Sequence, residues 1–201
     1  DLEFSRMRVS EGLSRLFEIE IEAVSRKADI APKDLLGHSV TVRVTYDDET
    51  ERYFNGYVTR FALGATEGRF HLYRMTLRPW LWFLTRTADC KIFQDKSVPT
   101  IVEEVFADES AAAVDMRLGD RGAYEAWEYC VQYRETDYNF VSRLFEQEGI
   151  YYFFEHRAEG ELLHIVDDVS SHTKAPESAV RFFAVSPADT SAPEALHQFR
   201  S

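Results

Sequence analysis

Cysteine is almost absent: Cys90 and Cys130 are the two among 201 residues, and neither sits in a CxxC pair or beside a histidine at metal-ligand spacing. That scarcity excludes a disulfide-built scaffold and a thiolate zinc site, and leaves buried reduced thiols as the expectation. Long apolar runs are missing as well. No stretch approaches the ~20 continuous apolar residues that a membrane-spanning helix needs. The opening residues also lack the basic, apolar and small-residue succession of a signal peptide, so neither a span nor a leader is expected.

Positive charge is in short supply. Lys and Arg number 23 against 35 Asp and Glu, a formal charge of −12, and no basic stripe offsets it. Such a chain repels a polyphosphate backbone, so no nucleic-acid partner is expected. The densest imbalance runs from Glu103 to Glu128, where Glu103, Glu104, Asp108, Glu109, Asp115, Asp120, Glu125 and Glu128 face only Arg117 and Arg121. A solvated helix face and loop is the expected reading, with a docking surface for a basic partner as the alternative.

Catalytic signatures are lacking too. His38, His71, His156, His164, His172 and His197 fall at no HExxH or HxH spacing, which argues for structural or surface roles. There is no GxSxG elbow, phosphate-cradling glycine loop or dinucleotide fingerprint; Gly56, Gly64 and Gly68 read as turn glycines. Glu146 with Glu148, or Asp167 with Asp168, could be imagined as an acid/base pair for sugar cleavage, but neither pair has an evident route to two converging groups. No catalytic residue, cofactor or metal is expected.

What the chain does have is core-forming material. The hydrophobic fraction is 45% and the aromatic fraction 14%, enough to exclude disorder by lack of burial. Phe17, Ile19, Ile21 and Ala23 alternate with Glu18, Glu20 and Glu22, the period-2 pattern of a strand with one wet face. Val40, Val42 and Val44 alternate in the same way, and Asp47 to Thr50 supplies a turn before Tyr53-Phe54. Asn55-Gly56 fits either a tight turn or a glycine bulge within one bent strand. Gly64 to Gly68 reads as a second turn, followed by a strand from Phe70 to Arg78. Short antiparallel strands with frequent turns favour a small closed barrel or sandwich, because closure removes exposed edges.

Pro79 ends that run, and the cluster from Trp80 to Leu84 marks a seam between domains. Ser97-Val98-Pro99 predicts a helix start, with Ile101, Val102, Val105 and Phe106 as its apolar stripe. Asp108 to Gly122 reads as an acidic loop. A second helix is predicted from Thr136, with Tyr138, Val141, Leu144 and Phe145 on one face and Gly149 as its left-handed cap. Ile150 to Phe154 then reads as an aromatic strand, more core than sugar-stacking surface, and Glu161 to Val166 as its partner. Arg181 to Val185 is a candidate further strand, and the stretch with Pro187 and Pro193 carries no periodicity.

Three blocks carry a family resemblance. They are Ser10-Glu11-Gly12-Leu13-Ser14; Tyr73 to Trp82 with Cys90-Lys91-Ile92-Phe93-Gln94; and Tyr133 to Leu144 running into Glu148-Gly149-Ile150-Tyr151-Tyr152. In this order they resemble VgrG proteins, the spikes of bacterial type VI secretion systems. The resemblance implies a hub module like that of contractile phage tails, with a structural rather than enzymatic role. It implies a homotrimer seated on a tube of Hcp hexamers, with a PAAR-type tip protein and effectors reached through segments this chain lacks. In such hubs a second barrel repeats the first, so three chains offer six barrels to a six-fold tube. It further implies residence in the bacterial cytoplasm before firing, then secretion through the type VI apparatus.

The expected fold is mainly β with an α+β part: a small antiparallel β-barrel at 1–88, then an α+β domain at 89–201 that is incomplete at its C-terminal end. Phe17, Ile19, Ile21, Val40, Val42 and Tyr57 are expected to fill the barrel. Trp80, Leu81 and Trp82 are assigned to the seam, and Tyr138, Leu144 and Tyr152 to the second core. A glycan-binding β-module with an accessory domain is the alternative function, and a hydrolase the third.

Overall fold

The structure is a computed structural model, and it describes residues 2–46, 49–172, 181–182 and 195–196. Asp1–Asp168 form one compact unit. Its first part is a five-stranded antiparallel sheet built from β1 (Glu3–Ser10), β2 (Glu18–Ser25), β3 (Ser39–Thr45), β4 (Glu51–Glu67) and β5 (Phe70–Arg78). The strand order is β1-β2-β5-β4-β3, and the sheet curls into a half-barrel whose edges are β1 and β3.

Register explains why one face is dry. Ile19 lies opposite Leu77, Ile21 opposite Met75 and Ala23 opposite Tyr73, and all six are buried. The intervening pairs, Glu20 with Thr76 and Glu22 with Arg74, point to the wet face. Because the side-chain period is two, a slip of one residue would exchange the faces, so burial of this row pins the register. All of those buried residues but Tyr73 join Phe17, Phe54 and Val58 in the first hydrophobic cluster, with Val40 and Val42 packed against it.

The sequence patterns locate these strands but misjudge three details. β4 runs unbroken through Asn55-Gly56, in line with the bent-strand reading of that pair, and also through Gly64, where a turn is expected to start; the tight turn comes only at Gly68, with φ 60°. The curvature is taken up instead by register shifts between Val58 and Arg60 and between Leu63 and Thr66, where an extra residue bends the strand without ending it. Tyr57, expected inside the barrel, packs against Phe83 of the second core, with ring centroids 5.4 Å apart. Its neighbour Val58 takes the barrel position, as alternation requires. The expected full closure is replaced by a curl, since among the described residues no ladder joins β1 to β3. Residues 47 and 48 of the expected turn lie outside the described residues.

The second cluster begins with a 3-10 turn at Trp80–Thr85. It continues with β6 (Ala88–Lys96), α1 (Val98–Phe106), β7 (Val114–Arg117), β8 (Trp127–Thr136), α2 (Asp137–Glu148), β9 (Tyr151–Arg157) and β10 (Gly160–Val166). β6 and β8 form a separate two-stranded antiparallel ribbon, while β9, β10 and β7 make a three-stranded sheet in which β7 runs parallel to β10. β7 lies inside the stretch read as an acidic loop. Four residues, Val-Asp-Met-Arg, are too few to show a period, and only the pairing with β10 makes them a strand.

Both helices follow their sequence signals. In α1, Pro99 sits in the first turn and Ile101, Val102, Val105 and Phe106 are buried. In α2, the Thr136 hydroxyl accepts the Asn139 N–H at 3.2 Å, and Gly149 closes the other end at φ 70°. Its buried face is Phe140, Val141, Leu144 and Phe145, with Tyr138 only half-buried at the margin. Of the cysteines, Cys130 is buried, but Cys90 is exposed, contrary to expectation, because it stands on the outer face of the ribbon. A second unit, Val169–Ser201, holds a 3-10 turn at Val169–Ser171 and a parallel pair of two-residue strands, β11 (Arg181–Phe182) and β12 (Ala195–Leu196). The remainder of the strand expected to Val185, the segment with Pro187 and Pro193, and His197 lie outside the described residues.

Candidate functional site

The half-barrel is plugged by β9. Phe154 and His156 pack edge-on against Phe17, with ring centroids at 5.0 and 4.8 Å, and His156 also lies 5.9 Å from Phe54. Asn55, fully buried on β4, stitches the two parts together. Its N–H donates to His156 Nδ1 at 2.9 Å, and its side-chain amide donates to Thr41 Oγ1 and to the Arg157 carbonyl, each at 2.9 Å. Its side-chain oxygen accepts the Arg157 N–H at 3.0 Å. Since Nδ1 of His156 accepts a backbone hydrogen, Nε2 carries the proton that faces Glu11 Oε1 at 2.7 Å. Ser14 donates its N–H to the Tyr152 carbonyl at 2.8 Å, so the first and last sequence blocks of the family resemblance meet here.

Gly56 explains how close this approach is. A Cβ at that position would lie 3.0 Å from Leu77 Cβ, 3.1 Å from Phe17 Cε2 and 3.2 Å from the Arg78 carbonyl oxygen. Of the two readings the sequence allows at Asn55-Gly56, a tight turn or a glycine within one bent strand, the strand continues, and the glycine clears space under Phe17.

Beside the plug, Glu161 of β10 accepts the Trp80 N–H at 2.5 Å, while its second oxygen is buried without a hydrogen-bond partner in the protein. Burial pushes this carboxyl up to about 8, against the smaller opposing pull of the Trp80 N–H. Burial, and then Glu161, raise the Tyr57 phenol as well. Trp80 is wholly buried; Trp82 is half-buried and exposes a ring stacked by Arg86 at 4.6 Å and Arg78 at 5.5 Å. Glu161 and Asn55 went unnoticed in the sequence, because an isolated polar residue gives no sign of the partners that satisfy it.

One buried histidine faces two carboxylates. His164 stacks on Phe153 at 4.9 Å, and its Nε2 is 2.7 Å from Glu155 Oε2. Its Nδ1 lies 3.3 Å from Asp115 Oδ2 but makes no hydrogen bond. Arg157, followed by His164, holds the Glu155 carboxyl down to about 2. No hydroxyl or thiol among the described residues is hydrogen-bonded to this trio. Among the described residues no group of three or more His, Cys, Asp or Glu side chains is arranged to hold a metal, and no helix is long and apolar enough to cross a membrane.

Two concavities stand out among the described residues. A groove of about 660 Å³ runs over the wet face of the half-barrel, where Arg6 and Arg74 clasp Glu22 at 2.7 and 3.0 Å and Arg8, Arg60 and Glu20 line the same wall. A notch of about 290 Å³ lies beside the plug, bounded by Leu13, Phe17, Phe153 and Phe154. The acidic run is partly self-neutralised, with Glu103 paired to Arg121 at 2.8 Å and Glu104 to Lys96 at 2.6 Å. The expected core residues Phe17, Ile19, Ile21, Trp80, Leu144 and Tyr152 are buried, and the Tyr138 and Tyr152 hydroxyls lie 3.0 Å apart.

Comparison with known proteins gives consistent neighbours. The sequence profile of the phage tail baseplate hub (GPD) matches residues 10–201. The type VI secretion system spike protein VgrG1b of Pseudomonas aeruginosa is 43% identical over 178 residues, covering 89% of this chain and 24% of that protein. VgrG1c of the same organism is 44% identical over 171 residues, covering 85% and 23%. The chain thus spans about a quarter of the length of these curated relatives. Among solved structures, the E. coli c3393 protein, a component of the type VI secretion system similar to T4 bacteriophage tail proteins gp27 and gp5, superimposes with a TM-score of 0.73 at 26% identity. That alignment covers 87% of this chain and 51% of the other.

Proposed function

This chain belongs to the phage tail baseplate hub family, in its VgrG spike branch, and from that premise we propose that it is the hub segment of a trimeric spike, seated between a tube of Hcp hexamers and a needle. The observation that carries the reading is the family match across residues 10–201 onto a curled half-barrel against which β9 packs through Phe154. A half-barrel braced by aromatic contacts suits a part that transmits load. Three copies, each with a repeat of this barrel elsewhere in the protein, would present six similar faces to a six-fold ring.

The remaining assignments follow from the same reading. A PAAR-type tip and effectors attach to other segments of the spike, and the protein waits in the cytoplasm and leaves through the type VI apparatus. This segment performs no catalysis. The proposed division at residue 88 has partial support: within the compact unit Asp1–Asp168 there are two separate hydrophobic clusters, and the second already takes in Trp80, Leu81 and Leu84 ahead of that boundary. Purified Hcp hexamers immobilised on a sensor test the proposal: the protein carrying this segment should bind as a trimer and leave oligosaccharides untouched. A monomer that ignores Hcp, or a saturable sugar isotherm, would overturn it.

A further inference from the structure

Four arginines far apart in sequence meet on the wet face of the half-barrel. Register sets them in two neighbouring rows across the sheet: Arg8, Glu20, Thr76 and Arg60 in one, and Arg6, Glu22 and Arg74 in the other. All six charged groups line the groove of about 660 Å³. The chain as a whole carries a formal charge of −12, yet in this groove four cations face two carboxylates. No window of the sequence shows such a stripe, because its arginines come from β1, β4 and β5, and the order of strands in the sheet is not their order in the chain.

Two of the arginines are braced and two are free. Arg6 engages Glu22 through Nη2 at 2.7 Å, and Arg74 engages the same carboxylate through Nε at 3.0 Å. Each guanidinium is thereby held in direction with most of its five N–H donors unused, and 72% and 66% of these side chains remain exposed. Arg8 and Arg60 are exposed and form no ion pair among the described residues, and neither does Glu20 in the same row. All four cations are arginine, whose planar fork matches the two oxygens of a carboxylate, and a braced fork loses less freedom on binding than a loose one.

We propose that this groove binds a short, extended, acidic stretch of another protein, with carboxylates seated on Arg8 and Arg60 at its two ends and on the braced forks of Arg6 and Arg74 in the adjoining row. From Arg8 to Arg60 is three strand spacings, ~14 Å, the reach of about four extended residues. Thr76, and Ala62 opposite Arg74, are the small side chains that leave room for a backbone between the arginines. A phosphate backbone suits the groove poorly. A continuous polyanion sets charge over Glu20, which no cation neutralises, and meets the field of an acidic chain on approach. A short peptide stretch with a few carboxylates can place an amide or a hydroxyl over Glu20 instead, and its charge is screened beyond ~10 Å. Such binding is independent of the proposed trimer.

Isothermal titration of the protein with a ten-residue peptide of alternating glutamate and serine supplies the test. Expected is a saturable isotherm with a Kd of roughly 10–100 μM at low salt, weaker by about tenfold in ~0.5 M NaCl, and no heat from the peptide with glutamine in place of glutamate. Arg8→Glu combined with Arg60→Glu should cut affinity at least tenfold with an unchanged melting temperature, since neither residue has an ion pair to lose. Lys33→Glu combined with Arg69→Glu makes the same change of charge on exposed residues outside the groove and should leave affinity within about twofold. Ala62→Glu keeps every arginine, puts a carboxylate into the groove and should reproduce the loss. No saturable binding, or an equal loss in both double variants, would overturn the proposal. Tighter binding of a decathymidylate through Arg8 and Arg60 would do so as well, as would self-association of the chain that the same pair of substitutions abolishes.

Discussion

Glu161 offers a direct measurement of what the junction costs. The residue is 8% exposed, and its carboxyl accepts one N–H and is raised by burial from 4.5 to about 8. A folded-state value above the unfolded one means that the folded protein prefers the protonated acid. The associated stability is complete below pH 4.5 and declines as the pH climbs through 8, because the unfolded chain ionises freely while the folded one resists. At ~1.4 kcal/mol per unit, the decline between pH 5 and pH 8 is about 3–4 kcal/mol. For a chain of this size that corresponds to a fall in melting temperature on the order of 10 °C. Glu161→Gln keeps a carbonyl for the Trp80 N–H and removes the ionisation. Urea denaturation of both proteins at half-unit intervals of pH isolates the effect, since every other titrating group cancels in the difference. The variant should match the parent to within ~1 kcal/mol at pH 5 and exceed it by several kcal/mol at pH 8. Parallel curves, or a variant that is the weaker protein at pH 8, would refute the burial argument.

Trp80→Ala should cost about 3–5 kcal/mol in denaturant titration, as for a wholly buried tryptophan. Trp82→Ala should cost about 1–2 kcal/mol, mainly the lost arginine stacking, and equal losses would contradict the burial difference. Asn55→Ala removes the partners of the Arg157 N–H and carbonyl and should destabilise by ~2–4 kcal/mol, with faster amide exchange at Arg157 as the local readout. Gly56→Ala should cost ~1–3 kcal/mol by overpacking, since the Arg78 backbone oxygen at 3.2 Å is slow to give way. An unchanged melting temperature there would mean that the strand relaxes freely.

Much of the fold was legible in the chain because local patterns stated it. Glu18 to Ala23 declared both a strand and its dry face, and Thr136 with Gly149 bracketed a helix that has those ends. The family blocks were legible too, in that residues at Ser14 and Tyr152, far apart in sequence, meet at one hydrogen-bonded seam. The ribbon was not. Ala88 to Lys96 and Trp127 to Thr136 are each too mixed to announce a strand, and β1 passed unnoticed for the same reason.

Composition, alternation and capping by themselves determined that this chain folds, that its first part is β and that its second part carries two helices. These depend on neighbours within a few residues, and the sequence holds such neighbours side by side. Tertiary structure alone decided that Asn55 bonds to Arg157, that Trp80 rather than Trp82 is enclosed, that Glu161 is cut off from water, and that Ile92, Val131 and two tyrosines stand together outside. Each of these depends on which distant segment arrives opposite. That choice is made by the summed burial of whole faces, which no single residue encodes.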